Sequence, residues 1–579
     1  MAPLRSTVLV RAHQASQLVL LGWSLLLLPL TSAWGPWARA QVTAAAGAAS
    51  LGSKVNGVLG GSCTAGLCVV AGGTGVGANQ FHRLSAFNTS GAISGVQFNN
   101  QGYGTVIVGV TSPFGSTIDK LISLTQPGNL LFLSPGGIRM AGSAGFVQVQ
   151  QLGLSTAASL AMSGGGAFNV FDSTASQLQA LSGSPVLGAN GLQASAAARQ
   201  AAGISGVPGI VADGIAISVD RELLLDAVDG TAQLTGSTLA VQPWQGMGGN
   251  LSILGQQVVI EAGSQLLARG PAGGGRIQLG GSWQNSNPAI RQALRTTVAN
   301  NVVADASATE RGNGGTVVVW SDVSNPGSTT RVAGELKAEA GIQTGHGGSI
   351  ETSGYELDVN GIRVSTKSPS GASGVWLLDP VDITISPSAG TVSGSAIASA
   401  MGLQGGTNVV LDATASGSCT GVTCSTFSGT SGIVSVSDSF TIAGPYVLTL
   451  KGQGVTGSGN IDLSNASAKV EFDQSSSSTY SGVISGSGSI AKKGAGTLSL
   501  AGINTYTGST ELNAGVLALS STGSIAASSG LVSSGAAIFD IQATPGASIR
   551  SLQGSSTASS GVVLGSSALT LSNASGAYS

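Results

Sequence analysis

The chain has 579 residues, 90 of them glycine, with 8% charged residues and a formal net charge of −2. Charge this sparse, against about 25% in ordinary globular proteins, excludes a solvated disordered polymer, which needs high net charge and few aliphatic residues. It also leaves no basic field to hold nucleic acid or an anionic membrane.

The first 40 residues read as an export signal. Arg5 and Arg11 form a short basic start, Leu18 to Leu28 an apolar core, and Pro29 closes it. Ala38-Arg39-Ala40 then supplies the small residues that signal peptidase accommodates, so cleavage is expected between Ala40 and Gln41. The apolar run is shorter than the roughly 20 residues needed to cross a bilayer. The mature chain is therefore expected to be secreted.

Four cysteines form two equally spaced pairs, Cys63/Cys68 and Cys419/Cys424, each in a loop that begins Ser-Cys-Thr. In an exported protein, one local disulfide per loop is expected. A shared zinc site would need both distant loops to converge.

Short alternating or β-branched runs follow one another: Gly104–Val110, Gln257–Gly263, Thr316–Trp320, Tyr446–Lys451 and Lys469–Asp473. Gly or Asn clusters bound nearly all of them, and only Leu192–Ala202 and Val219–Leu225 have helical periodicity. One texture sustained over so many residues favours an all-β solenoid, in which each coil buries an apolar face on the next. At about 20–25 residues per coil and about 4.8 Å per rung, the rod would be on the order of 100 Å long.

Residues that could carry chemistry are few. His82 and His346 are the histidines left after cleavage, and neither has a neighbouring Cys, His or carboxylate cluster. Both read as structural or turn residues. Gly452-Gln453-Gly454-Val455-Thr456-Gly457 matches a dinucleotide fingerprint but continues into turn and strand, without the helix that would face a pyrophosphate. Asp220, Glu222, Asp226 and Asp229 have no calcium-loop spacing and read as a solvated excursion from the solenoid. Trp244, Trp283, Trp320 and Trp376 could stack sugars, although Trp320 and Trp376 sit in strand-like runs and are expected in the core. No metal and no cofactor are expected.

The C-terminal part repeats itself. A unit starts at Thr479-Tyr480-Ser481-Gly482-Val483 and ends at Ser521; Ala577-Tyr578-Ser579 restarts it and stops. Thr497–Leu500 and Gly515–Leu519 would send alternate leucines into one interior. A stop in mid-repeat reads as an N-terminal fragment or a truncated product.

Three stretches resemble known exoproteins. Within residues 68–156, GANQFHRLSAFN (77–88), NLLFLSPGGI (129–138) and GLSTA (153–157) resemble the secretion domain of two-partner secretion exoproteins, the filamentous haemagglutinin family. The corresponding motif residues are Asn79, Phe81 and His82, then Ser134, Pro135, Gly136, Gly137 and Ile138. The family usually carries Asn-Pro-Asn-Gly-Ile in the second piece; here both Asn are replaced by residues that still suit a tight turn. Within residues 263–380, GNGGTVVVWSD (312–322), GHGGSIETSG (345–354) and GVWLLDP (374–380) resemble the extension that follows this domain, and residues 479–521 are similar to the autotransporter-associated β-strand repeat.

The resemblance implies a right-handed parallel β-helix with short excursions. Its segments would be a signal peptide (1–40), a secretion domain (41–300), a haemagglutinin-like extension (301–470) and an incomplete repeat region (471–579). The implied partner is an outer-membrane pore-forming transporter, and the implied role is a surface adhesin with an unidentified cell-surface or glycan ligand. A β-helical polysaccharide-degrading enzyme, a toxin carrier and a one-chain autotransporter are the alternatives. So few charges make a catalytic groove hard to build.

Overall fold

The computed structural model describes residues 41–243, 245–414, 432–554, 561–574 and 577–578. They fall within one compact unit, Arg39–Ser579. The signal residues Ala38 and Ala40, the pair Cys419 and Cys424, and Trp244 lie outside the described residues.

Strands three to six residues long recur in threes, one on each of three faces. One turn runs through Ile210–Asp213, Ala216–Val219 and Glu222–Asp226. The next runs through Thr231–Thr235, Thr238–Val241 and Asn250–Leu254, paired in parallel to the strands before it. The solenoid expected from the sequence is the observed fold. The third face keeps its register furthest. An inward column passes from Leu152 through Leu223, Leu251, Ile277, Val317 and Ile350 to Trp376. It continues through Val409, Leu448, Val470, Ile490, Thr510 and Leu531 to Leu552. Aliphatic residues alternating with outward ones close a single interior along the stack.

Turn length is uneven. Ile490 lies beside Thr510, and Thr510 beside Leu531, so turns there take about 20 residues. Arg276, in contrast, lies beside Thr316, and Gln151 beside Glu222. Residues spent on loops add no rise, so the stack from Asn79 to Tyr578 is on the order of 80 Å long, less than expected.

Two features adjust the ends and corners. Gln41–Ala44 and Thr74–Val76 run antiparallel to Asn79–Asn88, and so cover the free edge of the first turn. Cys63 and Cys68 are bonded there, with Cα atoms 5.7 Å apart, as expected. Before the third-face strands Asn250–Leu254, Arg276–Leu279, Thr316–Trp320 and Ser349–Ser353 the corners are Gly-Gly steps. A Cβ on Gly315 would come within 1.9 Å of the Gly275 carbonyl oxygen, so only glycine lets successive corners touch. The helix Gly394–Ala400, capped by the Ser393 hydroxyl, takes the place of a second-face strand between Arg363–Ser365 and Phe440–Thr441.

Some expectations need correction. Val219–Leu225 is not helical: it spans the end of Ala216–Val219 and most of Glu222–Asp226, two strands on different faces. Its leucines were apolar on consecutive positions because Leu223 and Leu225 point into the solenoid while Leu224 lies under a covering segment. Within Leu192–Ala202, only Ala196–Ala201 is helical. Gly452–Gly457 lies across the two strands Val447–Gly452 and Gly454–Gly457. Trp320 and Trp376 are fully buried, as expected.

Candidate functional site

Residues 156–209 leave the stack and fold back over the outside of its third face. They contribute a small antiparallel sheet, Ser159–Ala161 with Ala167–Asn169 and Leu192–Gln193, and the helices Ala175–Gln179 and Ala196–Ala201. The outward side chains beneath them are apolar, which is why the cover adheres. Phe81, Ile107, Leu131, Leu133 and Leu224 pack against Leu160, Phe168, Leu178 and Leu192 in a second core outside the solenoid. The Phe81 and Phe168 rings lie 5.4 Å apart.

The motif residues of the first turn fasten this cover. Asn79 donates to the Gly183 carbonyl at 2.9 Å. Phe81 is a knob in the second core, while His82 points into the solenoid and is fully buried. Its Nδ1 lies 3.1 Å from the Ser53 hydroxyl, and Nε2 has no partner among the described residues. Desolvation pushes its pKa down to about 4, so the ring is neutral at ordinary pH. Arg83, next in sequence, binds the carbonyls of Ala49, Asn169 and Ser173 and so ties the cap to the cover.

Ser134, Pro135, Gly136, Gly137 and Ile138 form a buried corner between Leu121–Leu133 and Ile138–Met140. The Gly137 amide donates to the Ser134 carbonyl at 2.9 Å, and the Ser134 hydroxyl bonds both the Gly137 carbonyl and the Ser116 hydroxyl at 2.9 Å. The corner stacks on Ser112–Gly115 of the preceding turn. Gly137 has φ +104°, and a Cβ on Gly136 would meet Gly115 N and Ser112 O at 2.5 Å. These residues form a tight turn closed by the Ser134 hydroxyl.

The acidic cluster is not a solvated excursion. Glu222 and Asp226 lie on a third-face strand, and Asp226 is fully buried. Arg291 clamps Asp226 with bonds of 3.1 and 3.2 Å and also donates to the Leu192 carbonyl. Arg199 on the cover holds Asp229 at 2.5 and 2.9 Å, which lowers the Asp229 pKa. Burial raises that of Glu222, although the Gln151 amide donates to it. Spacing alone hid this role, because the cationic partners sit 30 and 65 residues away.

Where the cover meets the sheet, a cleft of about 150 Å³ is lined by Thr105, Asn129, Leu131, Gln151, Ser184, Pro185 and Leu187. Pockets that enclose a whole small-molecule substrate hold about 300–1,000 Å³, and this cleft is smaller than those. Its amides are also engaged: Asn129 bonds Thr105 and Arg221, and Gln151 bonds Glu222. No group of three or more His, Cys, Asp or Glu could hold a metal among the described residues. His346 is exposed and accepts from the Ala372 amide at 3.0 Å, a turn role.

Further along, the turns are bare, and their buried polar residues span rungs. Asn504 accepts from the Ile484 amide and donates to the Gly502 and Ser524 carbonyls. Lys492 lies inside the solenoid, where it donates to the carbonyls of Lys493, Gly494 and Ala514, and desolvation lowers its pKa to about 8.

Residues 490–519, which contain Lys492 and Asn504, match the family model of the passenger-associated transport repeat. A stretch of 102 residues, 17% of this chain, is 36% identical to the adhesin BmaC autotransporter of Brucella suis biovar 1 (strain 1330). That stretch covers 3% of the adhesin. The likenesses of this chain are therefore to a passenger-associated transport repeat and to a small part of an autotransporter adhesin.

Proposed function

We propose that this chain is a secreted or surface-displayed β-solenoid adhesin without catalytic activity, carried outside a cell with an outer membrane. The observation that supports it best is the continuous inward column from Leu152 to Leu552, together with the repeat match at residues 490–519. A rigid stack of this kind projects long side faces and needs no enclosed site. The ligand is a cell-surface molecule or glycan. To test this, the purified mature chain would be fixed to beads and offered host cells and a panel of polysaccharides. Retention of one class above an inert protein control is expected; retention of none would remove the adhesive role.

For export, we read the N-terminal turns as a secretion domain passed through a pore-forming transporter of the two-partner kind. The order of the motifs at 77–88, 129–138 and 153–157 supports this. A stack that grows rung on rung outside the cell would oppose backsliding. A second reading, transport with a barrel on the same polypeptide, is favoured by the autotransporter likenesses. Deleting the transporter separates them: loss of surface protein supports the first reading, and unchanged export supports the second.

A further inference from the structure

A second segment, residues 281–293, also lies over the third face, and it covers a carboxyl group that the reading above does not use. It leaves after Arg276–Leu279, passes through the short turn Trp283–Asn285, and rejoins at Arg295–Val298. Gln284 and Asn285 are held at φ +45° and +49°, a conformation that only surrounding contacts maintain. The segment's far end is fastened by Arg291, which binds Asp226 and the Leu192 carbonyl, and by the Ala289 carbonyl, which accepts from the Ala189 amide. Hydrogen bonds also join it to the third-face strands. The Gln284 amide donates to Glu351 Oε2 at 2.8 Å, Trp320 Nε1 to Gln292 Oε1 at 3.1 Å, and the Asp322 amide to the Ala293 carbonyl at 2.9 Å. Trp283 packs on Val318, Trp320 and Val323.

Glu351 points outward from the strand Ser349–Ser353, yet it has no exposure. Its carboxyl meets two hydrogen-bonding groups, the Gln284 amide and the Ser353 hydroxyl at 3.1 Å. From the next rung Leu377 stands beside it and Asp379 lies diagonally across, beside Ser353, with Asp412 and its partner Lys451 beyond. The preceding rung presents Val318 and Trp320, and the segment's one cation, Arg291, is committed to Asp226. Burial without a cation in contact favours a neutral carboxyl here, against the Gln284 amide and the Ser353 hydroxyl, which both donate to it. An ionised one would stand near a second carboxylate with no cation in contact.

We infer that residues 281–288 of this segment are a proton-locked strap: the neutral carboxyl of Glu351 lets it close on the third face, and loss of that proton releases it. Release would hydrate Glu351 and uncover Val318 and Trp320. The direction follows from linkage. Burial, reinforced by Asp379, pushes Glu351 up to about 8, and burial with Asp412 pushes Asp379 up to about 7. The closed strap thus holds protons that the open one gives up. Closure is strongest at mildly acid pH, weakens as pH rises, and levels off above about pH 8.

Hydrogen exchange of the mature chain, followed by mass spectrometry from pH 5 to 9 and corrected for intrinsic rates, tests this. The opening constant of the peptide covering 281–288 should rise by up to about tenfold per pH unit below the plateau. Glu351→Gln should abolish that slope, and Asp379→Asn should move the plateau to lower pH. A strap equally protected at all pH values overturns the inference, as does an unchanged slope in Glu351→Gln. Should Glu351→Gln not fold, the native profile and the Asp379→Asn shift decide the matter.

Discussion

One outward column on the third face runs through both halves of the molecule, and its two ends behave differently. From the first turn it reads Phe81, Ile107, Leu131, Gly153 and Leu224. Towards the other end it reads Thr449, Glu471 and Ala491, then Glu511. The inward column beside it is apolar in both regions except at Thr510. The winding is therefore set by the inside, and the outside decides only whether a turn is covered. Where the outward residues are large and apolar, the chain spends residues 156–209 on a lid. Where they are charged or hydroxylated, the turns stay bare and shorten to about 20 residues. The segment over Glu351 lies between these regimes, one covered carboxylate among apolar neighbours.

The contrast breaks most severely at Phe168. This side chain is fully buried and belongs to the lid alone, so Phe168→Ala should cost about 3–5 kcal/mol in the covered region. Chemical unfolding, together with protease cleavage gained within 156–209, would report it. Thr449→Ala, at an equivalent height on the bare region, should cost less than about 0.5 kcal/mol. Equal losses would mean that the lid does not stabilise the turns beneath it.

Two buried titratable groups, His82 and Glu351, sharpen the comparison by responding to pH in opposite senses. His82 is buried neutral with its pKa lowered from 6.5 to about 4, so the unfolded chain binds the proton first. Stability from this group is complete above about pH 6.5 and is lost as pH falls towards 4, by about 3 kcal/mol at most. Unfolding midpoints of the native chain should fall across that window, and His82→Leu should flatten the fall. An acid loss of the same size in His82→Leu would point to another group.

Much of this was legible in the sequence. Gly-bounded β-branched runs, leucines at alternate positions in 497–500 and 515–519, and the near absence of charge all follow from stacking, which is local and periodic. The corner at Ser134 to Ile138 was legible for the same reason, since a tight turn needs particular residues at adjacent positions. The lid was not. Leu223, Leu224 and Leu225 look alike as letters, and a helical period fits them as well as a strand buried on both sides. Nor could Asp226 be matched with Arg291, or Glu351 with Gln284: each pair is brought together by whole turns of the solenoid, so separation in sequence says nothing about it.

At the N-terminal edge, the Cys63–Cys68 bond closes a loop with a sequence separation of 5. So short a loop removes little unfolded-state entropy, and reduction should lower stability by about 2 kcal/mol. The loss should be confined to the cap strands Gln41–Ala44 and Ser53–Val55, which lie at the edge of the covered region. Exchange measured with and without reductant would locate it. Loosening of the bare turns as well would mean that the cap governs the whole stack.

The smallest effect belongs to the charges of the bare turns. Asp412, Lys451, Asp473 and Lys493 lie directly above one another with alternating sign. Lys493 Nζ also reaches Glu471 at 2.8 Å, and its side chain remains 41% exposed. Exposed pairs of this kind contribute about 0–1 kcal/mol, so Lys493→Ala should lower stability by about 0.5 kcal/mol, and less at high salt. Lys493→Glu should do more, because it stacks like charges on Asp473 and Glu471. The order of the two variants in a salt series is the informative readout. If Lys493→Glu proved as mild as Lys493→Ala, the alternation of sign along this column would have no part in holding the uncovered turns in register, and the hydroxyl and backbone ladders alone would account for it.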